Sequence, residues 1–140
     1  MPDACRGSLL SLAVLLFCVT GCQKSEEVHR IYVNGKITLD GKPIPAGEIL
    51  FEPDNTKGNR GPAGVADIKN GEFICRKGFG VVGGPHVAII SANSGQALPQ
   101  DGQLPTGYVL ISEHRMPIDF PKDQLKQSIE ISSTDLKKRK

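Results

Sequence analysis

Two kinds of apolar patterning divide this chain. From Leu9 to Val19 every residue except Ser11 is apolar, a run of signal-peptide length that falls short of the ~20 residues a bilayer-spanning helix needs. From Ile31 onward apolar and polar residues alternate with a period of two, which predicts strands. Ile31, Val33, Ile37 and Leu39 share one face of the first strand, with Tyr32, Asn34, Lys36 and Thr38 on the other and Gly35 tolerated between them. Asp40-Gly41-Lys42-Pro43 supplies turn chemistry. The next strand, Glu48 to Glu52, points Ile49 and Phe51 inward, leaves Leu50 on the polar side, and ends at Pro53.

Asp54 to Pro62 is polar and glycine-containing, as expected of a mobile surface loop. Ala63 to Ile68 and Phe73 to Arg76 read as two strands joined by Asn70-Gly71, the pair that most readily adopts a type I′ hairpin turn. His86 to Ala92 is almost continuously apolar, which predicts a central strand covered on both sides. Residues 91–112, rich in Gly, Pro, Gln and Ser, read as a long loop. Met116, Ile118 and Phe120 alternate again, Pro121 to Gln124 reads as a turn, and Ser128 to Ser132 forms a last strand around Ile129 and Ile131. About seven strands are expected, with 16 Gly, 10 Pro, no Trp and no sustained helical periodicity pointing to an all-β domain.

The leader closes on Val19-Thr20-Gly21-Cys22. An aliphatic residue and two small ones before a cysteine resemble the bacterial lipobox, although Arg6 in the preceding segment is offset by Asp3. On that resemblance residues 1–21 are removed, Cys22 becomes a lipidated amino terminus, and 22–30 is the lipidated cysteine and its polar tether. Diacylglyceryl transfer to its sulfur and acylation of the new amine, typically with palmitate, would supply the two or more chains that stable anchoring needs. The expected address is a bacterial envelope, and Gln23 rather than Asp after the cysteine suggests the outer membrane, facing the periplasm or the cell surface. An ordinary secretory leader with an incidental Cys22 is the alternative; both export the protein.

Cysteine use fits this order of events. Cys5 and Cys18 leave with the leader and Cys22 takes lipid, so Cys75 has no mate for an intramolecular disulfide and reads as a small buried hydrophobe. The mature chain suits one domain, residues 31–132, followed by a basic tail, 133–140. The net charge of +2 is less than Lys137-Lys138-Arg139-Lys140 alone supplies, so the body is acidic on balance. Nucleic acid is therefore not an expected partner, and the tail reads as solvated.

Val33-Asn34-Gly35-Lys36-Ile37-Thr38-Leu39-Asp40-Gly41-Lys42-Pro43-Ile44-Pro45-Ala46-Gly47, followed by Ile49-Leu50-Phe51-Glu52-Pro53, resembles the opening of carboxypeptidase regulatory-like domains. Asn70-Gly71-Glu72-Phe73 resembles that family's hairpin and Gly83-Gly84-Pro85-His86-Val87-Ala88-Ile89 one of its strands. Over Ile31 to about Ile131 the chain is most similar to short planctomycete-type lipoproteins of this group. The resemblance implies a seven-stranded antiparallel prealbumin-like (transthyretin-like, Ig-like) sandwich with an accessory or adhesive role. It also raises a hydrolase reading, because some transthyretin-like proteins act on 5-hydroxyisourate with a first-strand His, a central Arg and His, and a C-terminal Tyr-Arg-Gly-Ser. Here Val33, Asn34 and Ile37 occupy the first strand and the chain ends Lys-Lys-Arg-Lys, so those residues are not carried over.

No catalytic residue and no cofactor is expected. Gly78-Phe79-Gly80-Val81-Val82-Gly83 spells the dinucleotide fingerprint, but the Gly84-Pro85 that follows leads into an apolar β run, with no helix to offer its N-terminus to a pyrophosphate. The glycines read as a turn between sheets, with Phe79, Val81 or Val82 plugging the core. His29, His86 and His114 lack metal-ligand spacing, and His86 reads as a capping or packing residue. Asp54, Asn55 and Asp67 are too few for calcium. For glycan binding the candidates are Tyr32, on the outward face of the first strand, and Tyr108, in the long loop. The expected partners are a membrane through lipid on Cys22 and an envelope protein or polysaccharide. The leading function is a non-catalytic envelope lipoprotein with a structural or protein-interaction module, ahead of glycan binding and of hydrolysis.

Overall fold

A computed structural model describes residues 28–96, 107–121 and 126–137. The leader, the lipobox Val19 to Cys22 with the start of its tether, the middle of the 91–112 segment and the tail after Lys137 lie outside the described residues. The strands are β1 (Asn34–Leu39), β2 (Lys42–Pro43), β3 (Ala46–Pro53), β4 (Gly64–Lys69), β5 (Glu72–Cys75), β6 (Gly84–Asn93), β7 (Val109–Phe120) and β8 (Lys126–Ile131), followed by a short helix α1 (Ser133–Lys137). They form one hydrogen-bonded sheet in the order β2-β1-β5-β4-β3-β6-β7, with β8 on the other side of β1. The sheet curls over a single apolar core, giving an all-β, mostly antiparallel sandwich.

The period-two pattern places the core as expected. Val33 and Ile37 of the first segment, Ile49 and Phe51 of β3, Ala66 and Ile68 of β4, and Phe73 and Cys75 of β5 are all buried. Phe51 joins the two halves of the curl, with its ring 6.1 Å from Phe73 and 5.1 Å from Phe120, edge-on to the latter. Both tight hairpins use positive φ, Asp40 and Gly41 at 49° and 75° and Asn70 and Gly71 at 51° and 81°, the angles a type I′ turn requires.

Several expectations are corrected. The sandwich is not antiparallel throughout, because β8 runs parallel to β1 over Asn34↔Lys126 to Leu39↔Ile131. Alternation marks a strand's faces but carries no information on its direction. Among the described residues there are eight strands, in keeping with the about seven expected, the two-residue β2 being the one not anticipated. The first strand begins at Asn34, and Ile31 instead makes an isolated bridge to Val81. The 91–112 segment is mostly strand at its ends, with Ser91 to Asn93 completing β6 and Val109 to Ser112 opening β7. The loop after Pro53 is fastened rather than loose. Asp54 caps a 3-10 turn at Asn55–Lys57, and the Asn59 amide donates to the carbonyls of Gly83 (3.0 Å) and Pro85 (2.7 Å). The tail starts as α1, whose Ser133 N–H donates to Asp40 Oδ1 at 2.9 Å while Leu136 packs on the core.

Strand β6 is interior in the sheet, but only one of its faces is covered. His86, Ala88, Ile90 and Ala92 are buried, whereas Val87 and Ile89 on the other face are half-buried. Ile89 pairs with Leu50, which pairs with Val65, so an apolar stripe crosses the outside of the sheet. The apolar run reflects this stripe as well as the core.

Candidate functional site

One departure from a plain β surface lies where β3, β4 and β6 meet the start of β7. An open groove of about 730 Å³ is lined there by residues including Glu48, Asp67, Arg76, Ser91, Asn93 and Val109. The register aligns Ile74, Asp67, Glu48 and Ser91 in one outward row across β5, β4, β3 and β6. Arg76, two residues beyond Ile74, reaches across this row. Its guanidinium donates to Asp67 Oδ1 through Nε (2.9 Å) and Nη2 (2.6 Å) and to Glu48 Oε2 at 2.6 Å. These bonds hold Arg76 firmly protonated and pull the Asp67 carboxyl below its ordinary value.

The Arg76 bonds keep the Asp67 carboxylate charged at neutral pH, so it offers no retained proton to donate. The Ser91 hydroxyl donates to the Ser112 carbonyl at 3.0 Å and has no base as partner. The three charges are exposed and screened by solvent, so the pairs add little to stability. What the groove presents is a mainly apolar lining, with Ala46, Ile68, Ala92, Val109 and Ile111, beside the Arg76 ion pairs and Ser91.

The two tyrosines do not combine into one platform. Tyr32 lines a second recess, of about 690 Å³, with Val28, His29, Arg30 and Pro62, and its hydroxyl accepts from Gly78 N at 3.0 Å. Gly83 lies against both Ile31 and Phe120, so Tyr32 is near the C-terminal end of β7. Tyr108 is exposed just before the N-terminal end of that 12-residue strand, its carbonyl accepting from Ser94 N.

Among the plugs proposed for the glycine-rich turn, Val81 is the one used. It is fully buried and exchanges hydrogen bonds with Ile31 at 2.8 and 2.9 Å, whereas Phe79 is 51% exposed. The turn leads directly into β6. Cys75 is buried, and burial pushes its thiol up from the ordinary value. Among the described residues no three His, Cys, Asp or Glu side chains gather as a metal would require, and no helix is long and apolar enough to cross a membrane.

His86 is a packing residue with a consequence for stability. Its ring is fully buried edge-on to Phe120 at 5.1 Å, Nδ1 donates to the Gly84 carbonyl at 2.9 Å, and Nε2 has no hydrogen-bond partner. Burial lowers its pKa below the ordinary 6.5, with the Gly84 bond and the Asp119 charge opposing that shift. The unfolded chain therefore takes up this proton first as pH falls. Stability from His86 should be intact above pH ~6.5 and fall by up to about 1.4 kcal/mol per unit below it, until the folded-state value is reached. Urea midpoints at pH 7.5 and 5.5 check this, and His86→Leu should flatten that interval whatever its absolute stability.

No protein family, curated protein or solved structure matches the chain.

Proposed function

We propose that this protein is a non-catalytic bacterial envelope lipoprotein, held at a membrane by acyl chains on Cys22 and presenting its β domain as a structural or protein-interaction module. The observation that carries this reading is Val19-Thr20-Gly21-Cys22 closing an apolar run of signal-peptide length. The fold supports it by bringing the chain into the domain at Val28, close behind Cys22, beside an exposed end of the sandwich. The ion-paired groove, with its engaged serine hydroxyl, and the buried His86 and Cys75 favour binding over turnover. The resemblance to carboxypeptidase regulatory-like domains fits an accessory role, although fold alone does not carry function.

In a bacterial host fed an alkyne-tagged palmitate, the wild-type protein should incorporate the label and Cys22→Ala should incorporate none. An unlabelled wild-type protein would remove the anchoring claim.

A further inference from the structure

Three separated segments converge where the chain enters the fold: 28–32, 55–64 and 76–83. Gly78 N donates to the Tyr32 hydroxyl, Arg30 Nη1 donates to the carbonyls of Ala63 (3.3 Å) and Gly80 (3.1 Å), and Val65 N donates to Phe79 O at 2.8 Å. The three segments contain Arg30, Lys57, Arg60, Arg76 and Lys77 and not one Asp or Glu. Lys57 is paired to Asp54 and Arg76 to Asp67 and Glu48, but Arg60 and Lys77 are exposed and have no ion pair among the described residues. The same segments carry exposed apolar side chains, Val28, Tyr32 and Phe79, the last closing the turn that begins at Arg76.

Resting on the lipid-anchored reading, we propose that this end of the domain is a docking surface for anionic lipid headgroups, with Phe79 as the interfacial wedge and Arg60 and Lys77 as the charge contacts. Charge complementarity favours a bilayer surface, since aromatic tips flanked by cations are what an anionic interface recognises. Chain length favours it too. Five residues lie between Cys22 and Val28, six peptide steps that span at most about 20 Å when fully extended. A lipidated Cys22 therefore keeps this end near the headgroups. Glu26 and Glu27 in the tether offset only part of the positive charge. The opposite end of the fold carries Asp40, the Asn70-Gly71 turn and α1.

The absence of tryptophan makes the test direct. Full-length lipidated Phe79→Trp carries a single indole, and in phosphatidylglycerol-containing vesicles its emission should shift blue and be quenched by brominated acyl chains. The same indole at Tyr108→Trp should show neither change. Adding Arg60→Glu and Lys77→Glu to Phe79→Trp should weaken the response about tenfold or more, as should raising the salt. An unquenched Phe79→Trp on anionic vesicles, or equal quenching at position 108, overturns the proposal. Flotation of wild-type protein on purely zwitterionic vesicles reports the acyl anchor separately. If flotation fails while Phe79→Trp is still quenched on anionic vesicles, the docking surface stands and the anchor falls.

Discussion

Phe51→Ala is expected to remove about 3–5 kcal/mol of folding stability. Phe51 is fully buried and is the ring that touches both Phe73 on β5 and Phe120 on β7. Those partners belong to strands far apart in the sheet order, so this one side chain connects the two sides of the curl. Truncation removes its buried area and leaves a cavity that neither neighbour can fill without moving a strand. A domain of this size has about 5–15 kcal/mol in total, so the loss is a large fraction of it. Urea denaturation should report it as a fall in midpoint with the slope unchanged. Phe79→Ala, which removes the same ring from an exposed site, should stay within about 0.5 kcal/mol of wild type. Equal losses from the two variants would mean that the core is not organised around Phe51.

Gly35→Ala is expected to cost about 3 kcal/mol, at the upper end of ordinary overpacking. A Cβ at this position would run into the Gln127 carbonyl oxygen and stand 2.8 Å from both the Gln127 carbonyl carbon and Phe73 Cε1. The obstruction is largely backbone, so β8 would have to move away from β1. Gly35 is therefore required by close approach and not merely tolerated by the strand. Hydrogen exchange should locate the damage, with the amides of Lys126–Ile131 losing more protection than those of β3 and β6. Gly41→Ala is the contrast. Gly41 has φ of 75° with nothing within 4 Å of an added Cβ, so only backbone strain of about 1 kcal/mol is expected. A Gly35→Ala protein as stable as wild type would show that the parallel β1–β8 pairing is looser than described.

What could be read from the chain alone was whatever depends on neighbours in sequence. Val33, Ile37, Ile49, Phe51, Phe73 and Cys75 fall inward because side chains alternate along a strand, and Asn70-Gly71 turns because its angles are local. The parallel direction of β8 was not legible, since alternation reads identically in both directions. Nor was the half-exposed stripe of Val65, Leu50 and Ile89, because an apolar residue looks the same whether it faces a core or its cross-strand neighbours. The contact of Arg76 with Asp67 and Glu48 depends on the register of three strands. Phe79 and Val81 are two residues apart and would share a face in a regular strand, but positive φ at Gly78 turns the chain beside them and only Val81 enters the core. The cationic end was invisible for a related reason: its segments are separated by tens of residues and meet only after folding.

The central claim is that Cys22 is the lipid-bearing first residue of the mature protein. Intact-mass and N-terminal peptide mass spectrometry of protein extracted from a bacterial membrane addresses it most directly. The expected result is a chain beginning at Cys22 and carrying diacylglyceryl and acyl groups; a chain that still begins at Met1, or an unmodified Cys22 thiol, would contradict it.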